Sequence, residues 1–115
     1  MADATATIAS LRDACRRFND ARRWEPYHSP KNLAMGLACE AAEVMEHFLW
    51  LTTDESRAVA RDPARLAAVA EEVADVACHL FNLTNALGLD LSDAVASKMV
   101  KNAVKYPVPP GGGQA

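Results

Sequence analysis

The sequence lacks an excess of basic side chains: 12 lysines and arginines stand against 15 acidic residues in a chain of 115, for a net charge of −3. Proteins that bind a nucleic-acid backbone neutralise its phosphates with lysine and arginine, so this balance argues against a nucleic-acid partner. The chain also lacks a long uninterrupted apolar run, and no basic segment followed by an apolar one occurs in residues 1–10. We therefore expect no membrane span and no signal peptide.

Cysteine and aromatic residues are scarce as well. Three cysteines cannot all pair, so we expect no disulfide framework, and a reducing compartment such as the cytoplasm fits better. Aromatic residues make up 6% of the chain, alanine is abundant, and the enrichment in β-branched and aromatic residues that strands favour is missing. This composition predicts helices. The sequence also has no glycine-rich phosphate loop, no cysteine or histidine pair at zinc spacing and no Ser-His-Asp pattern.

Four amphipathic segments, separated by prolines, a glycine and capping residues, predict four helices. Their expected limits are Ile8 to about Arg22, Pro30 to about Leu51, Pro63 to Leu87, and Asp90 or Ser92 to about Tyr106, with a short helical piece after 52–54. We expect an all-α protomer of the four-helix-bundle type over residues 1–107 and a disordered Pro/Gly-rich tail at 108–115. The apolar seams are wide enough to predict a homodimer or a dimer of dimers.

Two long stretches contain no lysine or arginine, from Asn32 to Ser56 and from Leu66 to Ser97, and both carry carboxylates. Helical carboxylates on a solvated face are commonly offset by a basic residue three or four positions away, which is impossible within these stretches. The acids include two pairs at a spacing of three, which places the members of each pair on one helix face: Glu40 with Glu43, and Glu72 with Asp75.

Each pair flanks an apolar seam, so packing the two helices through those seams brings four carboxylates together. Four like charges in a partly buried site are unfavourable without a counter-ion. Oxygen-only ligands favour Mg²⁺, with Mn²⁺ as a substitute. Three alternatives remain open: the acids form an ordinary solvated face, the chain is a non-catalytic helical dimerisation or adaptor module, or it is a di-iron bundle. The last needs Glu-x-x-His, and neither Glu43 nor Glu72 has histidine three positions later.

The pattern Glu-x-x-Glu, 28 residues, Glu-x-x-Asp resembles the metal signature of the MazG-like all-α nucleoside triphosphate pyrophosphohydrolases, and most closely their dCTP pyrophosphatase branch. The resemblance extends over residues 8–107 and includes the segments Arg23–Glu25, His28–Leu33, Phe48–Trp50 and Tyr106–Pro107. It implies cleavage of a nucleoside triphosphate, dCTP-like by preference, to the monophosphate and pyrophosphate, for control of the nucleotide pool. It also implies that Glu40, Glu43, Glu72 and Asp75 are both the metal ligands and the catalytic carboxylates.

The same comparison bears on substrate binding. Lys98, Asn102 and Tyr106 recur four apart on the last helix, which suits a triphosphate tail, although lysine also favours a helix C-terminus. Trp24 and Trp50 are candidates to stack on a base, or to pack in the core or at an interface. His28 and Asn32 flank a helix N-terminus, where they bind substrate or cap the helix. The resemblance implies that His79 and Cys15, which stand where the dCTP branch has tyrosine and histidine, lie near the nucleotide.

Overall fold

Residues 2–111 are described in a computed structural model, and they form five α-helices and two short 3₁₀ helices without any strand. The α-helices are α1 (Ile8–Ala21), α2 (Pro30–Glu46), α3 (Thr53–Ala58), α4 (Pro63–Leu87) and α5 (Leu91–Lys105), and the 3₁₀ helices are Glu25–Tyr27 and Val59–Arg61. The prediction of an all-α chain is confirmed. Four of the α-helices are those expected from the sequence, and α3 is the short additional piece.

The helix starts follow from the capping residues. The Ser29 hydroxyl accepts a hydrogen bond from the Asn32 N–H at 3.1 Å, and proline at the first position of α2 needs no hydrogen-bond partner for a backbone N–H. Asp62 caps α4 in the same way, ahead of another proline. Gly88 ends α4 in the left-handed conformation, with φ of +62°, which favours glycine.

The predicted end of the second helix at Leu51 is wrong, because α2 ends at Glu46. The chain then tightens into turns, with the Phe48 N–H donating to the Met45 carbonyl at 2.9 Å. A capping box then starts α3. The Glu55 N–H donates to the Thr52 hydroxyl at 3.1 Å, and the Thr52 N–H donates to the Glu55 carboxylate at 2.8 Å. This box requires extended backbone at Thr52, with ψ of 167°, so a helix cannot continue through it.

α4 is the central helix, packing most extensively against α2 and next against α1. Amide side chains hold α1 to α4. The Asn19 amide donates to the Asn82 carbonyl oxygen at 2.9 Å, and the Asn85 amide donates to the Arg12 main-chain carbonyl at 3.1 Å. These bonds pair polar groups that would otherwise be partly buried without partners. The packing of α2 on α4 brings together the two helices that carry the paired acids.

A single protomer buries few of its apolar side chains. Among the described residues only Leu33, Val59 and Phe81 are buried apolar residues, and α5 packs extensively on no other element. Val104 on α5 is 81% exposed and Trp50 is 89% exposed. No helix within residues 2–111 combines the length and the apolar character needed to cross a membrane. Of the predicted disordered tail, 108–111 form no helix or strand, and 112–115 lie outside the described residues.

Candidate metal centre

Four carboxylates meet where α2 packs against α4. One oxygen from each of Glu40, Glu43, Glu72 and Asp75 lies within 4.8 Å of the other three, and we call these four residues the acid cluster. Each helix supplies two side chains from successive turns of one face, as the spacing of three residues requires. The convergence expected from the sequence is therefore present in the fold.

The acid cluster carries unfavourable electrostatics in the absence of a cation. Proximity of Glu43, with partial burial, raises the pKa of Glu40 above its ordinary value. The pKa of Glu72 is also raised, first by the proximity of Glu43 and then by partial burial. Glu43 thus lies in hydrogen-bonding reach of a carboxylate on its own helix and of one on α4. Nearby histidines oppose these effects in part, His79 at Glu40 and His47 at Glu72.

Two oxygens of the acid cluster are buried without a hydrogen-bond partner, Oε2 of Glu40 and Oε2 of Glu72. Buried polar atoms in proteins are nearly always satisfied, and a carboxylate oxygen can accept a hydrogen bond or bind a cation. Residues 32–56 and 66–97 contain no lysine or arginine, so these parts of α2 and α4 offer no basic side chain to pair with the two oxygens. An oxygen-only set of four carboxylates fits a hard divalent cation, so these residues could hold a metal ion.

A cavity of about 490 Å³ between α1 and α4 adjoins the acid cluster, and we call it the α1–α4 cavity. Its wall is largely apolar, with contributions from Leu11, Phe18 and Phe81, and Asp75 belongs both to this wall and to the acid cluster. Trp24 lies at the wall and contacts the Phe18 ring edge-on, with ring centroids 5.6 Å apart. This size and apolar lining with a few polar groups are typical of a small-molecule site.

The imidazole of His79 forms part of the same wall. Its Nδ1–H donates to the main-chain carbonyl of Asp75 at 3.1 Å, one turn earlier on α4. The other edge of the ring lies against Gly36 on α2. His79 therefore borders the α1–α4 cavity and lies near Glu40 of the acid cluster.

Two thiols also line the α1–α4 cavity, Cys15 from α1 and Cys78 from α4. Burial, followed by the proximity of Cys78, raises the pKa of Cys15 to about 11. Both are free thiols, as is the exposed Cys39.

Two other predicted substrate residues, His28 and Asn32, lie outside the wall of the α1–α4 cavity. His28 packs edge-on against Trp24, with ring centroids 5.9 Å apart, and lines a neighbouring cavity with Asn19 and Asn82. Asn32 acts in a local turn, where its side-chain amide donates to the Tyr27 carbonyl at 3.0 Å.

The structure does not bring the remaining predicted substrate residues into the acid cluster or the wall of the α1–α4 cavity within one protomer. These residues are Trp50, Lys98, Asn102 and Tyr106. The last three lie on or directly after α5, the helix that packs on no other element extensively.

Sequence reasoning did not predict that Asn19, Cys78, Asn82 and Gly36 adjoin the site. One signal for two of them was present. Cys78 and Asn82 follow Asp75 by three and seven positions, which places them on the same face of α4 as that acid. The contributions of Asn19 and Gly36 depend on how α1 and α2 pack against α4.

The chain is similar in sequence to known proteins. The sequence profile of the MazG-like family matches residues 37–114. The dCTP pyrophosphatase 1 of Mus musculus is 37% identical over 102 residues, which cover 89% of this chain and 60% of that protein. The Homo sapiens protein of the same name is 37% identical over 101 residues, covering 88% of this chain and 59% of its own length. This chain thus spans about three fifths of the length of the curated relatives it matches.

A solved structure gives the same result for the fold. The crystal structure of a pyrophosphatase from Archaeoglobus fulgidus matches with a TM-score of 0.81 at 40% sequence identity, covering 87% of this chain and 92% of that one. The family match extends over more than half of the residues, and it includes the whole acid cluster. The chain therefore belongs to the MazG-like family.

Proposed function

We propose that this chain is a Mg²⁺-dependent nucleoside triphosphate pyrophosphohydrolase that converts a dCTP-like nucleotide to its monophosphate and pyrophosphate. The observation that carries the proposal is the meeting of four carboxylates from α2 and α4. The surrounding stretches 32–56 and 66–97 contain no lysine or arginine that could pair with them. The similarity to proteins named dCTP pyrophosphatase 1 and to a solved pyrophosphatase supports the reaction class.

In this proposal Glu40, Glu43, Glu72 and Asp75 hold Mg²⁺, with Mn²⁺ as a possible substitute, and act as the catalytic carboxylates. A bound divalent cation supplies polarisation of phosphate oxygens and a lowered pKa for a coordinated water. The chain contributes the placement: two rigid helices fix the carboxylates, and the two buried unpaired oxygens are accounted for by a cation. Because Asp75 belongs to both the acid cluster and the cavity wall, phosphates at the acids place the rest of the nucleotide toward the α1–α4 cavity.

The α1–α4 cavity is the proposed site for the base and sugar. Its apolar wall removes an aromatic base from water, and Trp24 offers a ring on which a base can stack. His79 and Asn82 are polar groups of the wall that can form hydrogen bonds with the base or sugar. His28, which packs on Trp24, and Asn32, which holds the turn before α2, support this end of the site.

A second copy of the chain is proposed to complete the site. Lys98, Asn102 and Tyr106 carry groups suited to phosphate, yet α5 does not pack extensively within its own protomer and exposes much apolar surface. Pairing of two copies, as a dimer or a dimer of dimers, would cover this face and bring α5 to the neighbouring acid cluster. Light scattering at micromolar concentration should give at least the dimer mass, and Val104→Lys should lower it; a monomeric mass for the wild-type chain contradicts this part of the proposal.

A panel of nucleoside triphosphates, assayed with Mg²⁺ for pyrophosphate and orthophosphate separately, tests the reaction and the base preference together. We expect pyrophosphate as the product, with dCTP among the best substrates. Orthophosphate as the sole product would contradict cleavage between the α and β phosphates. Absence of any product over the whole panel would favour the alternative of a helical dimerisation module.

A further inference from the structure

Gly36 occupies an interior position of α2, where glycine is less favourable than alanine because the chain loses more conformational freedom on folding. A methyl group added at this residue would lie 2.8 Å from Cδ2 and 2.9 Å from Nε2 of the His79 ring. Real Cβ atoms essentially never approach another heavy atom closer than 3.0 Å, and ordinary contacts begin at 3.4 Å. The glycine is therefore matched to the ring that lies against it.

The ring is also fixed on its other side. The Nδ1–H of His79 donates to the main-chain carbonyl of Asp75, so the imidazole is held between α2 and its own helix. To relieve contact with a methyl group at residue 36, the ring would have to withdraw from α2 until 2.8 Å became at least 3.4 Å. Because His79 is part of the wall of the α1–α4 cavity, such a movement changes the space that the cavity offers.

We propose that Gly36 is a positioning residue for substrate selection: its missing side chain seats the His79 imidazole against α2 and so keeps the α1–α4 cavity open to the base. The proposal rests on the proposed function, because it takes this cavity as the nucleotide site. Gly36 touches neither the acids nor the substrate in this account and acts through His79. Its replacement should therefore change KM rather than kcat.

The test compares the wild-type chain with Gly36→Ala, His79→Ala and the double variant. We expect Gly36→Ala to raise KM for the preferred nucleotide about tenfold, which corresponds to a loss of about 1.4 kcal/mol of binding, and to leave kcat close to the wild-type value. In the His79→Ala background the added methyl group meets no ring. The double variant should then have the KM of His79→Ala alone, which a general loss of structure would not produce.

Thermal unfolding gives an independent readout for the same four proteins. Gly36→Ala should lower Tm when His79 is present and raise it when His79 is alanine, because alanine then only improves the helix. A wild-type KM in Gly36→Ala, or the same rise in KM in both backgrounds, would overturn the proposal. If the wild-type chain hydrolyses no nucleotide, the proposed function fails by itself. The two Tm changes still decide the role of Gly36 in that case: opposite signs support positioning of His79, and equal signs overturn it.

Discussion

Replacing Glu43 by glutamine removes one negative charge from the acid cluster while the size of the side chain hardly changes. Glu43 lies in hydrogen-bonding reach of both Glu40 and Glu72, and it is the first cause of the raised pKa of each. A glutamine amide can donate a hydrogen bond to either carboxylate, and it does not repel them. In metal-free buffer we therefore expect Glu43→Gln to unfold at a higher temperature than the wild-type chain.

Magnesium should reverse this order. A cation at about one hundred times its Kd stabilises the folded state by about 2.7 kcal/mol, which corresponds to about 10 °C in Tm for a domain of this size. Loss of an outer-shell partner already weakens metal binding by about ten- to one hundredfold, so we expect the loss of one of four direct ligands to cost about one hundredfold. The same Mg²⁺ concentration then only equals the new Kd. The stabilisation then falls to RT ln 2, or about 0.4 kcal/mol, which corresponds to about 2 °C.

The assay is thermal unfolding of both proteins in a chelator and in Mg²⁺. Glu46→Gln is the matched control, because Glu46 lies one turn after Glu43 on α2 and outside the acid cluster. This control should keep the full Mg²⁺-induced rise in Tm. An equal rise in Glu43→Gln and the wild-type chain, or no rise in the wild-type chain, would refute the reasoning.

Two further predictions concern titration. In metal-free buffer the acid cluster should destabilise the fold increasingly as pH rises from about 4.5 toward neutrality, because the folded chain holds the protons of Glu40 and Glu72 more tightly than the unfolded chain does. Melting curves should show the wild-type chain losing stability relative to Glu40→Gln/Glu72→Gln over that range; a relative gain contradicts the prediction. Iodoacetamide at mildly alkaline pH should modify the exposed Cys78 before Cys15, whose pKa of about 11 leaves little thiolate. Peptide mapping by mass spectrometry checks the order, and faster reaction at Cys15 would be the contrary result.

The helix starts and the acid pairs were predictable because each depends on short-range chemistry. Ser29 and Asp62 cap helices through hydrogen bonds to residues three positions later, and a spacing of three fixes Glu40 and Glu43 on one face. The end of α2 was predicted five residues too late. Its apolar pattern continues past Glu46 to Leu51, so the pattern alone does not show that the chain passes into turns directly after Glu46.

The wall of the α1–α4 cavity could not be predicted to the same extent. The approach of Cys15 to Cys78, and of Gly36 to His79, depends on how side chains of different helices meet across an interface. No sequence period encodes that distance. The placement of α5 could not be predicted either, because its apolar side chains pack extensively on no other element of the protomer.

The most direct test of whether the acid cluster is the reaction centre is to measure pyrophosphate release from dCTP by Asp75→Asn. Glu71→Gln is the matched control. Asp75 is part of the acid cluster and of the cavity wall, whereas Glu71 is an exposed acid on the same helix outside both. We predict that the wild-type chain and Glu71→Gln release pyrophosphate in Mg²⁺ and lose this activity in a chelator, and that Asp75→Asn remains folded but inactive. Wild-type rates of pyrophosphate release by folded Asp75→Asn would contradict the account.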